Sequence, residues 1–371
     1  MKTKKKMQKN MEKKKHKFQN PAKSTPYERR ISAERVSGKK EEKRRKRSKR
    51  VGIGFVVLQG MATLLFIGMM MTLGVLPFRY AMLAFAVVFI CFVITYISQK
   101  RKKVCAIFGR IWSAMVIVVL LLGSGCMGVL NHALESVTGA PYRAEQKSNT
   151  FDIMGAGQIF SITEDSFHVY VRDAKEDIDG NSISEVNLLA TVNPETHQIL
   201  VTAIPGEYYV TIPGVSNGQK DKLMQTGTFG VEASMAALGN LYETEISYYL
   251  KLDFAWIAEK KALLQSQVSW DMAKEVLDAV CSVSQHVKTN LSKYEVQQLI
   301  KRQIEKPVSW KKTTVSAEGT LTSSYTYSMP DTATYVMTPD PASVQSVKEQ
   351  LKRIEDGELL RKDQGCFTNK F

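Results

Sequence analysis

Residues Val51–Phe78 read VGIGFVVLQGMATLLFIGMMMTLGVLPF, 28 positions without a charge. A bilayer core is crossed by about 20 apolar residues in a helix, so this stretch is long enough to span one. Two more follow: Ala81–Ser98 is uncharged over 18 residues and Ile111–Leu134 over 24. Three such runs in succession point to three membrane helices rather than buried helices of a soluble core. Gly52, Gly54, Gly60, Gly68, Gly123 and Gly125 fall within them, and small residues are common where membrane helices touch. About fifty polar residues precede the first run, which does not fit a cleaved signal peptide.

Outward from these runs, the charge of the 371-residue chain is unevenly spread. Its formal net charge is +15, but residues 1–50 hold 22 Lys/Arg against 5 Asp/Glu, while residues 151–371 hold 21 against 29. A uniformly basic nucleic-acid binder is excluded by that split. Basic clusters stand at Lys43–Arg50 and Lys100–Lys103, with Arg110 beyond, whereas the turn between the first two runs has only Arg79. Lys and Arg are retained on the cytoplasmic side, so the head and the 100–110 loop belong inside and everything after about residue 135 outside. Only Phe18 and Tyr27 interrupt the basic head, so a base-stacking arm is unsupported. Topology and contact with anionic membrane lipid explain the head better, and no nucleic-acid partner is expected.

The remaining chain reads as an α/β domain. Residues 135–165 are polar, with scattered glycines, as in a linker. Phe167–Val171 alternates as a strand. Val186–Val192 and Gln198–Ile204 are β-branched runs separated by Asn193-Pro194-Glu195-Thr196, a turn signal, and Tyr208–Ile212 is a further strand. Val231, Met235, Leu238, Leu241 and Tyr242 recur at helical spacing, and a longer stripe runs from Val268 through Val287. Ser292 with Glu295 reads as a capping box opening a helix through Ile304, and Asp340-Pro341 as the start of a last helix ending near Gly357. Strands mixed with helices in this order predict a three-layer α/β domain.

Chemical signatures are sparse. Cys91, Cys105 and Cys126 belong to the apolar region. Cys281 lies near a helical stripe and is expected in the core, and a bridge from it to Cys366 is open. No paired-cysteine zinc spacing, His-Glu-x-x-His or Gly-x-Ser-x-Gly occurs. Gly155-Ala156-Gly157 lacks the third glycine of a dinucleotide fingerprint. Asp177–Asn181 has part of a calcium loop, but Lys175 and Val186 would occupy its first and twelfth positions, so it reads as a solvated turn.

Several segments carry a family likeness. Glu185-Val186-Asn187-Leu188-Leu189-Ala190-Thr191-Val192-Asn193-Pro194-Glu195-Thr196, then Ile204–Val210, Gly218–Leu223, Gly227–Val231, Tyr327–Pro330 and Tyr335–Asp340 together resemble the LytR-CpsA-Psr (LCP) family. The CpsA type, with its three-span basic-headed membrane region, is the nearest in look. The resemblance covers most of residues 51–355 in consistent order. It implies a membrane protein of Gram-positive cell wall biogenesis, transferring teichoic acid or capsule polysaccharide from a polyprenyl pyrophosphate carrier to peptidoglycan by magnesium-assisted phosphotransfer. Arginine forks suit phosphate oxygens, and a carboxylate-held metal offsets their charge.

Departures fall where that chemistry would sit. The family's Arg-Ser-Asp is here Ile183-Ser184-Glu185, and its Pro-Arg-Asp is Pro205-Gly206-Glu207. Its early metal-holding aspartate aligns near Lys175, with Asp173 and Asp177 as the candidates. Its later arginine-rich segment is missing between Asp253-Phe254 and the Val268 helix. Lys220 and Lys222 remain as phosphate-binding candidates. The expected organisation is a basic cytoplasmic head (1–50), three transmembrane helices (51–134), a linker (135–165), an extracellular LCP-like domain (166–356) and a tail (357–371). The expected function is a partner or regulator of glycopolymer assembly, a pseudoenzyme with impaired or lost transfer; the alternative is an active magnesium-dependent phosphotransferase.

Overall fold

The computed structural model describes residues 26–100, 103–139, 165–173, 178, 183–215, 217–264 and 270–358. Contacts divide the chain into two units, Met1–Leu64 with Ala86–Leu121, and Leu65–Phe85 with Leu122–Phe371. Three helices, α1 (Pro26–Leu73), α2 (Phe78–Lys100) and α3 (Lys103–Val137), contain stretches long and apolar enough to cross a membrane: Arg50–Leu73, Phe78–Gln99 and Ile107–Val137.

Within the first unit, Ser113 Oγ donates to Gln59 Oε1 at 2.9 Å, and both side chains are fully buried. Away from water such groups need each other. A Cβ at Gly52 would stand 2.6 Å from Gln99 Oε1, and one at Gly109 2.6 Å from Ser98 Cβ, so both are true contact positions. Gly123 of the second unit abuts Phe66, whereas Gly54 of the first unit and Gly68 and Gly125 of the second face open space. The small-residue reading therefore holds for only some of the glycines.

The second unit is built on a six-stranded mixed sheet of order β7-β6-β1-β2-β3-β8. Its strands are β1 (Phe167–Asp173), β2 (Asn187–Asn193), β3 (Gln198–Ile204), β6 (Tyr248–Leu252), β7 (Val287–Thr289) and β8 (Lys311–Ser316). β1 runs parallel to β6 and β3 parallel to β8; the other pairs are antiparallel. The β2–β3 turn is made by Asn193, whose Oδ1 accepts from the amides of Glu195 and Thr196 at 3.0 Å. Two small ribbons lie outside this sheet, β4 (Tyr209–Thr211) with β5 (Lys220–Lys222), and β9 (Gly319–Ser324) with β10 (Thr334–Pro339). Strands β5 to β10 were not expected from the sequence.

One sheet face carries Tyr170, Leu189, Leu200 and Tyr249. Helices α4 (Val231–Tyr242) and α8 (Pro341–Glu355) cover it with Val231, Met235, Leu238, Val347, Leu351 and Ile354. Each fully buried leucine there contributes on the order of 1.5–3 kcal/mol. The capping box is formed at both bonds, opening α7 (Lys293–Glu305), and Asp340 caps α8 through Ser343 N. The long valine stripe breaks instead of continuing. Helix α6 (Trp270–Ser282) stops, and Val287 enters the sheet opposite Leu252, where ladder hydrogen bonds outweigh helical periodicity. Cys281 is exposed rather than in the core, because Val276, Ala279, Val280 and Val283 supply the inward side of that helix. Cys366, Asp177–Asn181 apart from Ile178, and residues 140–164 of the expected linker lie outside the described residues.

Helix α7 is fastened to the neighbouring ends of α1, α2 and α3. Gln297 Nε2 donates to Leu73 O at 2.9 Å, Lys293 pairs with Glu135 at 2.6 Å, and Arg79 donates to Glu305 O at 3.0 Å. Arg79 meets the negative end of the α7 dipole.

His168 is buried on the sheet with Nδ1 against Thr191 Oγ1 and Nε2 against Glu355 Oε1, at 2.9 and 2.8 Å. Burial lowers its pKa from 6.5 despite the carboxylate. The folded state therefore binds fewer protons than the unfolded one below that value, so this stabilisation is complete above 6.5 and declines as pH falls. Urea unfolding of the detergent-solubilised chain is expected to show an acid-side loss that His168→Gln removes in part; an unchanged pH slope would contradict it.

Candidate functional site at the carboxyl end of the sheet

Strands β1 and β6 run parallel and end together, and ligands of α/β sheets gather beyond such carboxyl ends. Strand alternation sets what is displayed there. Tyr170 pairs with Tyr249 in the core, so the next same-face pair, Arg172 with Lys251, lies at the edge of that core. Arg172 has no exposure and Lys251 has 6%. Both are engaged by other groups of the protein, as buried cations must be. Carboxylates stand close by: Asp173 ends β1, Asp253 follows β6, and the charge of Glu232 adds to burial in raising the Tyr249 hydroxyl.

Asp253 is a structural hub. Its Oδ1 accepts from Trp256 N at 3.0 Å, opening helix α5 (Phe254–Leu264), and its Oδ2 meets His286 Nδ1 at 2.9 Å. The Trp256 ring stacks on His286 at 4.6 Å between centroids. Burial works against ionisation of Asp253, but the Trp256 amide and His286 together bring its pKa below the ordinary carboxylate value. Asp173 Oδ1 accepts from Phe254 N at 3.4 Å. An imidazole oriented by a carboxylate is a general-base arrangement, although here it also ties β7 to α5.

The family-like segments, far apart in sequence, meet beside this edge. Met224 N donates to Gly206 O at 2.8 Å, and Ser184 N donates to Met224 O at 3.2 Å. Asp173 N donates to Val186 O at 3.2 Å. Ile183, Glu185 and Glu207 are exposed around this junction, and Gly206 is buried within it. A Cβ on Gly206 would lie 3.2 Å from Met224 Cβ and 3.6 Å from the Ser184 and Glu185 carbonyls. Lys222 sits two residues from Met224 on β5. Lys220 turns away, with its ammonium 5.6 Å from the Tyr209 ring. The junction thus joins Asp173, Ile183, Glu185, Gly206 and Glu207, with Lys222 near by, while Asp177 lies outside the described residues.

The magnesium implied by the family likeness would need converging oxygens. Among the described residues no three His, Cys, Asp or Glu side chains group as a metal site, and Asp253 is committed to Trp256 and His286. The described residues as placed do not fit the ion. Arg172, Lys251, Asp253 and His286 were not singled out in the sequence. The available signal was strand alternation in Phe167–Asp173 and Tyr248–Leu252, which puts a cation at the last inward position of each.

A second feature is an apolar cavity of about 500 Å³. Leu73, Val75, Leu130 and Leu134 from the ends of α1 and α3 line one side, and Trp256, Val280 and Ile300 another; Lys260 is its one charged lining residue.

Residues 135–259 match the model of the LytR_cpsA_psr family. No curated protein matches the chain. Similar solved structures include the transcriptional regulator yvhJ from Bacillus subtilis, at 16% identity and TM-score 0.39, covering 52% of this chain and 98% of that one. TagT bound to LI-WTA is 17% identical with TM-score 0.38, covering 53% and 92%. YwtF (TagT) with bound octaprenyl pyrophosphate lipid is 18% identical with TM-score 0.35, covering 53% and 92%.

Two outcomes follow from the packing. Gly206→Ala should cost about 1–3 kcal/mol by overpacking against Met224, read as a lowered unfolding midpoint; an unchanged midpoint would show that the junction yields freely. Because the folded pKa of Asp253 is depressed below 3.8, its contribution is present above that value and lost as pH falls through the folded pKa. Asp253→Asn should therefore be less stable than the parent at neutral pH, with the difference closing in acid.

Proposed function

We propose, for a chain whose residues 135–259 are LytR_cpsA_psr family sequence, a membrane-anchored role in envelope glycopolymer assembly as a partner or regulator that binds the lipid-linked polymer and transfers it poorly or not at all. Three apolar helices anchor it. The basic head faces the cytoplasm, where Lys43–Arg50 adjoins anionic lipid, and the α/β domain faces outward.

The carrying observation is the junction of Ser184, Gly206 and Met224. The positions where family members place guanidiniums hold exposed Ile183 and buried Gly206, and the flanking Glu185 and Glu207 repel a diphosphate. A clamp on transferring phosphate is worth several kcal/mol of transition-state stabilisation, and its absence is expected to cost the reaction heavily. Arg172 and Lys251 do not replace it while both are buried and engaged. A polyprenyl tail finds an apolar environment in the 500 Å³ cavity beside the ends of α1 and α3.

The test is binding and turnover of octaprenyl pyrophosphate by the full chain in lipid nanodiscs, with and without magnesium. Binding is expected without release of product. Turnover matching an active family member assayed in parallel would overturn the impaired-enzyme reading, and absence of binding would overturn the carrier reading.

A further inference from the structure

The segment Gly319–Pro339, GTLTSSYTYSMPDTATYVMTP, differs in composition from the rest of the domain. Twelve of its 21 residues carry a hydroxyl, and Asp331 is its single charge. It forms the β9–β10 ribbon and the loop between; Val336 is buried and Met337 packs on the core, while most of its other large side chains point to solvent. Tyr335 is 76% exposed, Leu321 63% and Tyr325 61%, with Met329, Phe229 and Tyr327 also open. Strand pairing sets Tyr335 opposite Ser323 and Met337 opposite Leu321, so Tyr335 and Leu321 share a face. Exposed aromatics gathered in this way mark a binding surface more often than chance scatter.

The loop is held rigidly. Buried Asp221 accepts from Ser328 N at 2.9 Å and from Ser328 Oγ at 3.0 Å; Tyr327 N donates to Lys220 O at 3.0 Å; Tyr209 OH donates to Tyr325 O at 2.7 Å. Phe229, from the segment between Met224 and α4, lies 5.7 Å from the Tyr327 ring. The display is therefore ordered before any ligand arrives, which lowers the entropic cost of binding. It also adjoins β5, two residues from the Met224 junction.

We infer that this tyrosine-rich surface binds a neutral saccharide chain. Pyranose rings present a face of C–H bonds that rests against the negative face of an aromatic ring, and their hydroxyls pair with Tyr, Ser and Thr groups at the edges. Its 21 residues hold one carboxylate and no cation, so within the segment an anionic polymer finds no partner, and the bordering Lys220 has its ammonium 5.6 Å from the Tyr209 ring. The saccharide is then the glycan part of the polymer or its acceptor rather than its phosphate, and in this the inference rests on the glycopolymer reading above.

Titration calorimetry of the full chain in nanodiscs tests it, with an N-acetylglucosamine hexamer and poly(glycerol phosphate) as probes. The hexamer is expected to bind with little dependence on salt. Tyr327→Ala and Tyr335→Ala should each weaken it about tenfold, while Tyr335→Phe retains binding. No hexamer binding, equal binding by the alanine variants, or a salt-sensitive preference for poly(glycerol phosphate) would overturn the inference. Octaprenyl pyrophosphate binding measured on the same samples reports the carrier reading separately, so either can fail alone.

Discussion

Met224 spends both of its backbone groups on one junction, donating to Gly206 and accepting from Ser184. Those two bonds draw together the entry to β2, the exit from β3 and the exit from the small β4–β5 ribbon. A buried amide and carbonyl left unpaired would each cost free energy comparable to a lost hydrogen bond, so the three segments are set relative to one another by requirement. Gly206 is needed because a side chain there would press on Met224. A side chain at that position would begin 3.2 Å from Met224 Cβ, so the junction must give slightly to admit one.

Charge follows a similar logic at the sheet edge. Arg172 and Lys251 sit side by side on parallel strands, and two like charges at that spacing are tolerable only with counter-charge from nearby groups. Asp173, Asp253 and Glu232 lie in the same region. The result is cations retained inside the fold and carboxylates outside it at Glu185 and Glu207.

Much of the fold was legible because periodicity and local chemistry agree. The apolar runs are helices, the Asn193 turn joins β2 to β3, and Ser292 and Asp340 cap the helices they announce. The failures share a cause, non-local pairing. Val287 belongs to a helical stripe in sequence and to a strand in space, because Leu252 offers it a ladder partner. Strands β8 and β9 are polar and largely exposed, so they lack the hydrophobic alternation that marks a half-buried strand. At the site, the segments around Ser184 and Gly206 could be named from family likeness, but their meeting through Met224 could not. Arg172 and Lys251 were missed because a charged residue inside an apolar strand reads as its solvent side.

The fastening of α7 to the ends of α1 and α3 has a consequence for handling the molecule. Gln297 reaches Leu73 O, and half of the apolar cavity wall comes from the same helix ends. A fragment beginning after Val137 would lose Leu73, Val75 and Arg79 and, with Glu135, the ion-pair partner of Lys293. Trp256, Val280 and Ile300 would then face water, and the last carbonyls of α7 would lose their guanidinium. Such a fragment is thus predisposed to self-associate through the surface that the ends of the apolar helices cover.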